Sequence, residues 1–337
     1  MDKLIYSIFE QTNTLLLLFV IIGSLFTLSK GADLFVDEAV SLSIRWGIPK
    51  LIIGATIVSL GTTLPEASVG IIAALNGNSD LALGNAVGST ITNTSFILGL
   101  AAIVGTLPID MKTISKQGSI LFLCSILLVF ISLPVFYNGI TGMIYQHIGW
   151  LFLLLLLLYI QYLIKSAKKS NEFLSETLIE VEDSSLVIQL LKFFIGISIV
   201  ILSSSLLIPA VEVGALRVGI PQSVVASTLV AFGTSLPELI TAITAVRKNH
   251  GELAFGNIIG ANILNILFVI GSAAAISHGG LLIPQIYYTV HYPTMLIVLF
   301  IIGYFAKNKR NKHKTLTKME GLCLLSLYGV YLVLNYS

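Results

Sequence analysis

The feature that most constrains this fold is a series of apolar runs, each about as long as a helix that crosses a bilayer. Such a helix needs about 20 mostly apolar residues, and the runs are continuous rather than alternating, which argues against a transmembrane β-barrel. Only 11% of the 337 residues are charged, against about a quarter in soluble domains. The sequence therefore predicts an all-α membrane protein with ten transmembrane helices, near residues 12–35, 50–75, 82–105, 118–136, 146–165, 186–211, 222–246, 253–275, 287–306 and 320–335.

The distribution of lysine and arginine between the predicted loops indicates how the helices are oriented. Cytoplasmic loops carry an excess of positive charge, and here the positive residues fall mainly in alternate loops, ending with a cluster between Lys307 and Lys318. This pattern predicts a multi-pass protein of the plasma (cell) membrane with both termini extracytoplasmic. The polar stretch 166–185 is then a cytoplasmic linker between two halves, residues 1–165 and 186–337.

The two halves contain an internal repeat. Residues 45–99 align without a gap on residues 217–271, and 22 of the 55 positions are identical. Five spans in each half is an odd number, so the second copy is expected to be inverted. The loop at 75–78 carries no positive charge and its counterpart at 247–250 carries two, which suits opposite sides of the membrane. Inverted repeats indicate a secondary transporter whose site lies where the two copies meet.

Each copy contains an apolar segment interrupted by a proline and an acid, "GTTLPE" at 61–66 and "GTSLPE" at 233–238. Proline removes a helical N–H and clashes with the preceding turn, so carbonyl groups near Ser59 and Ala231 are expected to become free to face an ion. An acid inside a membrane indicates a functional site. The pseudo-two-fold axis should bring Glu66 and Glu238 together.

The other polar groups near these acids supply oxygen atoms, and neither motif contains cysteine or histidine. Hard cations such as Ca²⁺ prefer six to eight oxygen ligands, including carboxylates and carbonyls, and Na⁺ accepts similar oxygens. The alternative is ordinary helix packing, which small residues and asparagine also serve. No cofactor is predicted, and Ca²⁺ and Na⁺ are expected as transported ions. The candidate side-chain ligands beside the two glutamates are Thr62, Thr63, Thr234, Ser235, Ser89, Asn93 and Asn265.

The doubled motifs resemble the α-repeats of the cation/calcium antiporter superfamily, in particular its sodium/calcium exchanger branch. The resemblance rests on "GTTLPE" and "GTSLPE" together with "GNAVGSTITN" and "GNIIGANILN", and "SKGADLFVDEAV" in the first helix is also similar. It implies that Glu66 and Glu238 bind Ca²⁺ and serve the Na⁺ sites. It also implies that the first and sixth helices slide together across the other eight.

The sequence departs from this family pattern at a few positions. Ala261 stands where the first copy has Ser89, so one side-chain oxygen is missing, and Ser59 stands where the second copy has Ala231. Asn265 is neutral where the potassium-dependent branch carries an acid, which argues against K⁺ co-transport.

We therefore predict a secondary antiporter that exchanges Na⁺ for Ca²⁺, electrogenic and independent of K⁺, rather than an enzyme. The alternatives left open are a proton/cation exchanger, a cation channel and an intramembrane protease with paired acids. The expected surroundings are a lipid bilayer, with no nucleic acid and no obligate protein partner. Four charged residues at or near the end of the first helix are interpreted as a tilted helix end with snorkelling or paired side chains, and a transport role is the alternative. They are Lys30, Asp33, Asp37 and Glu38.

Overall fold

The computed structural model describes residues 2–108, 111–134, 141–174, 185–219, 233–307 and 315–336. These residues form helices and a few very short strands. The helices are α1 (Asp2–Gln11), α2 (Thr14–Arg45), α3 (Lys50–Thr62), α4 (Leu64–Leu75), α5 (Ser79–Val104), α6 (Met111–Ile131), α7 (Gln146–Leu174), α8 (Leu186–Arg217), α9 (Leu236–Arg247), α10 (Gly251–Ile276), α11 (Tyr287–Lys307) and α12 (Lys318–Tyr336). Strand β1 (Leu107–Pro108) pairs antiparallel with β4 (Thr315–Leu316), and β2 (Gly142–Ile144) pairs antiparallel with β3 (Leu281–Ile283).

The helix lengths and hydropathies agree with a membrane protein. Among the described residues, six helices are long and apolar enough to cross a bilayer, in α2, α5, α7, α8, α10 and α11. The pair α3 and α4, bent by 47°, makes a seventh if it is one span, and α6 contains a shorter apolar helix. The predicted span at 222–246 lies partly outside the described residues. The fold is thus all-α, while the count of ten spans and their inversion stay predictions.

Some boundaries differ from the sequence-based prediction. Helix α2 continues to Arg45 and α8 to Arg217, beyond the predicted ends at 35 and 211. Helix α7 continues to Leu174, so the first residues of the predicted linker 166–185 extend a helix beyond its apolar part. The stretch "SAKKSNEFL" contains good helix formers such as alanine, lysine, glutamate and leucine. The rest of that linker, apart from Ser185, lies outside the described residues.

The bounds of several helices recur at the spacing of the sequence repeat. Helix α8 begins and ends 172 residues after α2, and the same spacing relates α9 to α4 and α10 to α5. Each of α5 and α10 also contains a π-helical segment, Asn93–Ile97 and Asn265–Ile270, which begins at the same position of the repeat. Short π-helical insertions of this kind frequently mark functional sites.

Helices α5 and α10 lie at the centre of the protein. Of the residues in the most apolar part of each helix, 78% are buried in α5 and 94% in α10. The corresponding shares are 28% in α2 and 33% in α8. Close approach depends on glycine, because a Cβ atom on Gly256 would lie 2.1 Å from the Leu51 carbonyl oxygen of α3. A Cβ atom on Gly260 would lie 2.6 Å from Ala55 Cα. Gly256 and Gly260 therefore allow α10 to pack directly on α3.

Helices α2 and α8 pack along each other as a pair. A Cβ atom on Gly196 would lie 2.8 Å from the Phe35 backbone nitrogen, so the two backbones are nearly in contact. The rings of Phe35 and Phe193 pack with their centroids 4.8 Å apart. The outer faces of this pair carry exposed apolar side chains such as Phe19 and Phe194, as expected for helices that face lipid.

Candidate cation-binding site

The two acidic motifs lie where helices begin after a break. Helix α3 ends at Thr62 and α4 begins at Leu64, and α9 begins at Leu236 after a turn at Ser235. Pro65 and Pro237 lie in the first turn of the second segment, where a missing N–H leaves no helical bond unmade. The following glutamates are therefore also in the first turn, where the helix N-terminus favours negative charge.

Glu66 and Glu238 lie in the interior and each contacts a hydroxyl group of the other repeat. Both residues are completely buried. The Ser235 hydroxyl donates a hydrogen bond of 3.4 Å to Glu66 Oε1, and the Thr63 hydroxyl donates one of the same length to Glu238 Oε1. Thr63 and Ser235 occupy the same position of the repeat, so the two contacts form a reciprocal pair.

A second reciprocal pair involves two asparagines that were absent from the predicted site. The Thr62 hydroxyl donates to Asn257 Oδ1 at 3.2 Å, and the Thr234 hydroxyl donates to Asn85 Oδ1 at 3.0 Å. Asn85 also donates from Nδ2 to the Glu66 carbonyl oxygen at 2.9 Å. Asn85 and Asn257 occupy the same position of the two copies, within "GNAVGSTITN" and "GNIIGANILN". The recurrence of asparagine there is the sequence signal that indicates both residues.

The remaining predicted side chains extend the site along α5 and α10. Ser89 Oγ lies 3.1 Å from Ser235 Oγ, and Asn93 Nδ2 donates to Asn262 Oδ1 at 3.1 Å. Asn265, the counterpart of Asn93, has no hydrogen-bond partner for either polar atom among the described residues. All of these side chains are buried, so the structure brings α4, α5, α9 and α10 together around one polar interior.

Buried acceptor oxygens without partners are concentrated in this interior. They include the second carboxylate oxygen of each glutamate and the amide oxygens of Asn93 and Asn265. In the described part of the chain, neither glutamate forms an ion pair with a lysine, arginine or histidine. Buried polar groups are normally hydrogen-bonded. Neutral oxygen atoms together with two carboxylates form the kind of ligand set that a hard cation prefers.

The backbone carbonyls near the breaks differ from the sequence-based expectation. The Ser59 carbonyl is not freed from the helix, because it accepts a hydrogen bond of 2.9 Å from the Thr63 backbone nitrogen. The reason is the register, since the missing N–H of Pro65 leaves the carbonyl four residues earlier, that of Gly61, without its helical donor. The Ser59 side chain is buried. Ala231 lies outside the described residues.

Three of the four charged residues predicted at the end of the first helix form ion pairs there. Lys248 Nζ lies 2.7 Å from Asp37 Oδ2 and 3.3 Å from Asp33 Oδ1. Lys192 Nζ lies 3.6 Å from Glu38 Oε1. The fourth, Lys30, is placed with Nζ 5.9 Å from the centre of the Phe26 ring. These contacts agree with the interpretation of paired side chains. The predicted helix end is wrong, because α2 continues to Arg45 and the four residues lie within it.

A membrane fold with two buried carboxylates among neutral oxygen groups defines a class of protein, the integral membrane transporters of hard cations. Comparison with known sequences narrows this class. The sodium/calcium exchanger protein family matches residues 16–165 and 188–337. The chain therefore belongs to the sodium/calcium exchanger family, whose members are antiporters and not enzymes.

Individual relatives agree with this membership. The chain is 36% identical over 278 residues to the inner membrane protein YrbG of Escherichia coli, covering 81% of this chain and 83% of that protein. It is 24% identical over 353 residues to the sodium/calcium exchanger MaX1 of Methanosarcina acetivorans, covering 95% and 98% of the two chains. The structure of the sodium-calcium exchanger NCX_Mj soaked with 10 mM Na⁺ and zero Ca²⁺ matches with a TM-score of 0.79, at 26% identity, over 95% of this chain and 99% of that one.

Proposed function

We propose that this protein exchanges Na⁺ for Ca²⁺ across the membrane at one site built around Glu66 and Glu238. The observation that carries the proposal is the burial of both carboxylates with no positively charged side chain beside them among the described residues. Burying an ionised carboxylate without a partner is very costly. A bound cation offsets this cost, and the unpartnered oxygens nearby supply further ligands.

Charge balance accounts for the coupling of the two ions. Two carboxylates neutralise one Ca²⁺ or two Na⁺, so the ions compete for the same groups and the site does not hold a full set of both. Any further Na⁺ makes each exchange cycle electrogenic. The proposed ligands are Glu66, Glu238, Thr62, Thr63, Thr234, Ser235, Ser89, Asn93 and Asn265, with a carbonyl oxygen near Ala231 and, in the first repeat, that of Gly61 in place of Ser59.

We assign alternating access to the pair α2 and α8, which are the first and the sixth of the predicted spans. These two helices pack tightly against each other through Gly196 and Phe35, while the proposed ligands lie on α3, α4, α5, α9 and α10 and near their ends. A sliding movement of the pair would expose the site to one side of the membrane and then to the other. The protein is expected to work without K⁺ because Asn265, unlike an acid, adds no negative charge for a further cation.

The test is ion flux into liposomes that contain the purified protein. Vesicles loaded with Na⁺ and diluted into Na⁺-free buffer with radioactive Ca²⁺ should accumulate Ca²⁺, with no K⁺ present on either side. Adding K⁺ to both sides should leave the rate unchanged, and a pH gradient alone should drive little uptake. A rapid change in external Na⁺ should produce a transient current on a supported membrane, because the exchange moves net charge.

The alternatives predict different results in the same vesicles. Strong uptake driven by a pH gradient and indifferent to Na⁺ would identify a proton/cation exchanger. Ca²⁺ entry that needs no counter-ion gradient would identify a channel. A requirement for K⁺ would contradict the proposed role of the neutral Asn265.

A further inference from the structure

A directional chain of hydrogen bonds links α10 to α5 beside the proposed cation site. The Thr94 hydroxyl gives its single hydrogen to the Thr90 carbonyl oxygen, 2.8 Å away on the same helix. Its oxygen is then able only to accept, and it accepts from Asn262 Nδ2 at 2.7 Å. The other end of that amide, Asn262 Oδ1, accepts from Asn93 Nδ2 at 3.1 Å.

This chain determines which end of the Asn93 amide is left for a ligand. The oxygen and nitrogen of an asparagine side chain are distinguished by their hydrogen-bond partners. Because Nδ2 is held by Asn262, the Asn93 Oδ1 atom is the free end, and it is buried with no partner among the described residues. Asn93 lies one helical turn after Ser89, on the face that contacts Ser235 and through it Glu66.

The repeat-related positions around Asn265 do not form an equivalent chain of hydrogen bonds. Thr90 occupies the position that corresponds to Asn262, and its hydroxyl bonds to the Ala86 carbonyl oxygen of its own helix at 2.9 Å. Ile266 occupies the position that corresponds to Thr94. Asn265 consequently has neither polar atom held by another described residue. The two asparagines at equivalent positions thus differ in how their side chains are oriented.

We propose that Asn262, which is outside the predicted ligand set, is a positioning residue that holds the Asn93 amide with its oxygen turned to the transported cation. Asn93 is then a preformed ligand, while the Asn265 amide must be oriented each time an ion binds. A ligand that is already oriented saves the entropy of ordering it. The two halves of a site with pseudo-two-fold symmetry therefore contribute unequally. This inference rests on the proposed function, because it takes a bound cation as the partner of Asn93 Oδ1.

The test is a double-mutant cycle on Ca²⁺ binding to the purified protein, measured by calorimetry in Na⁺-free buffer. Asn262→Ala should weaken Ca²⁺ binding about tenfold, the lower end of the usual effect of removing a group that orients a metal ligand. In the background of Asn93→Ala, the same substitution should cause no further loss, because its effect passes through Asn93. Equal losses in both backgrounds, or unchanged binding by Asn262→Ala, would overturn the proposal.

Two further variants separate positioning from folding. Thr94→Val keeps the shape of the side chain and removes the acceptor for Asn262, so it should weaken binding about fivefold, the value of one hydrogen bond. If Asn262→Ala does not fold, the cycle is made with Thr94→Val and Asn93→Ala. Ser125→Ala on α6 is the matched control, because it removes a buried hydroxyl that bonds to the Leu121 carbonyl of its own helix, and its Ca²⁺ binding should equal that of the wild type.

The outcome for the wild type separates this inference from the proposed function. Normal Ca²⁺ binding without Na⁺-driven uptake in liposomes would refute exchange. The Ca²⁺ affinities of the variants would still test the positioning role of Asn262. A wild type that binds neither Ca²⁺ nor Na⁺ would overturn both proposals together.

Discussion

The Ser235 hydroxyl of the second repeat lies 3.4 Å from Oε1 of Glu66 in the first repeat and donates a hydrogen bond to it. The reverse contact, from Thr63 to Glu238, has the same length. Each glutamate therefore accepts a hydrogen bond from a hydroxyl group in the other half of the chain. A site of this kind requires both repeats, and changes in either half should affect both ions.

Neutralising either glutamate should abolish exchange. Glu66→Gln or Glu238→Gln removes one of the two charges that a Ca²⁺ ion needs for neutrality, and glutamine is nearly the same size. We expect Na⁺-driven Ca²⁺ uptake in liposomes to fall at least a hundredfold, about 3 kcal/mol. Glu252→Gln is the control, because Glu252 is an exposed acid in the first turn of α10. Near-normal uptake by either glutamine variant would remove that glutamate from the mechanism.

The two asparagines beside the threonines should differ in importance. Asn85 holds both the Thr234 hydroxyl and the Glu66 carbonyl oxygen, whereas Asn257 holds only the Thr62 hydroxyl and its Nδ2 atom has no partner among the described residues. Each buried polar group left unpaired costs about 1–3 kcal/mol. Asn85→Ala should therefore lower the apparent Ca²⁺ affinity and the thermal stability more than Asn257→Ala. The two substitutions remove the same atoms, and equal effects on both measurements would contradict the prediction.

Adding a hydroxyl at position 261 should strengthen the interaction with Na⁺. Ala261 is the buried counterpart of Ser89, whose hydroxyl lies 3.1 Å from Ser235. We expect Ala261→Ser to improve the apparent Na⁺ affinity about fivefold, equivalent to about 1 kcal/mol, and Ca²⁺ affinity less, because Ca²⁺ draws on both carboxylates. The measurement is the Na⁺ concentration for half-maximal exchange. Ser89→Ala should change it in the opposite direction, and an unchanged value for a well-folded Ala261→Ser would show that this position does not face a Na⁺ site.

Stability should fall in mild acid because of His250, in the turn between α9 and α10. Burial and the neighbouring Lys50, with Nζ 3.1 Å from the ring Nδ1, lower the pKa of His250 below its ordinary value of 6.5. Lys248 lowers this pKa further and Asp37 opposes the effect. The unfolded chain then binds a proton at higher pH than the folded protein, so the free energy of unfolding decreases as pH falls below about 6.5.

The measurement for this prediction is the apparent melting temperature in detergent between pH 7.5 and 5.5. His250→Gln has no titrating group at this position, so its melting temperature should change less over that range than that of the wild type. Lys50→Gln should also reduce the slope, since it removes one cause of the lowered pKa. Parallel pH curves for the wild type and His250→Gln would contradict the assignment.

The local elements of the fold and the main candidate site residues follow from the sequence. Apolar runs specify helices in a membrane because every backbone polar group must be paired internally. Helices α5, α10 and α11 agree with the predicted positions, whereas α2 and α8 begin near the predicted residues and continue past the predicted ends. The repeat predicted that Glu66 and Glu238 occupy matching places, and both are buried beside hydroxyl groups of the opposite repeat. A proline and an acid in an apolar run are local signals, readable without the fold.

The partners of each side chain were decided by tertiary structure. Asn85 and Asn257 accept hydrogen bonds from threonines that are distant in sequence, and Asn262 on α10 accepts one from Asn93 on α5. These contacts depend on how α3, α5, α9 and α10 meet. The Ser59 carbonyl stayed in its helix because hydrogen-bond register, not the mere presence of Pro65, determines which carbonyl is released. The sequence by itself determined the helices, the repeat and the paired acids, since these depend on local composition and spacing. Only the tertiary structure decided which buried oxygens are satisfied and which remain for a cation, because that depends on distances of about 3 Å between residues more than a hundred positions apart.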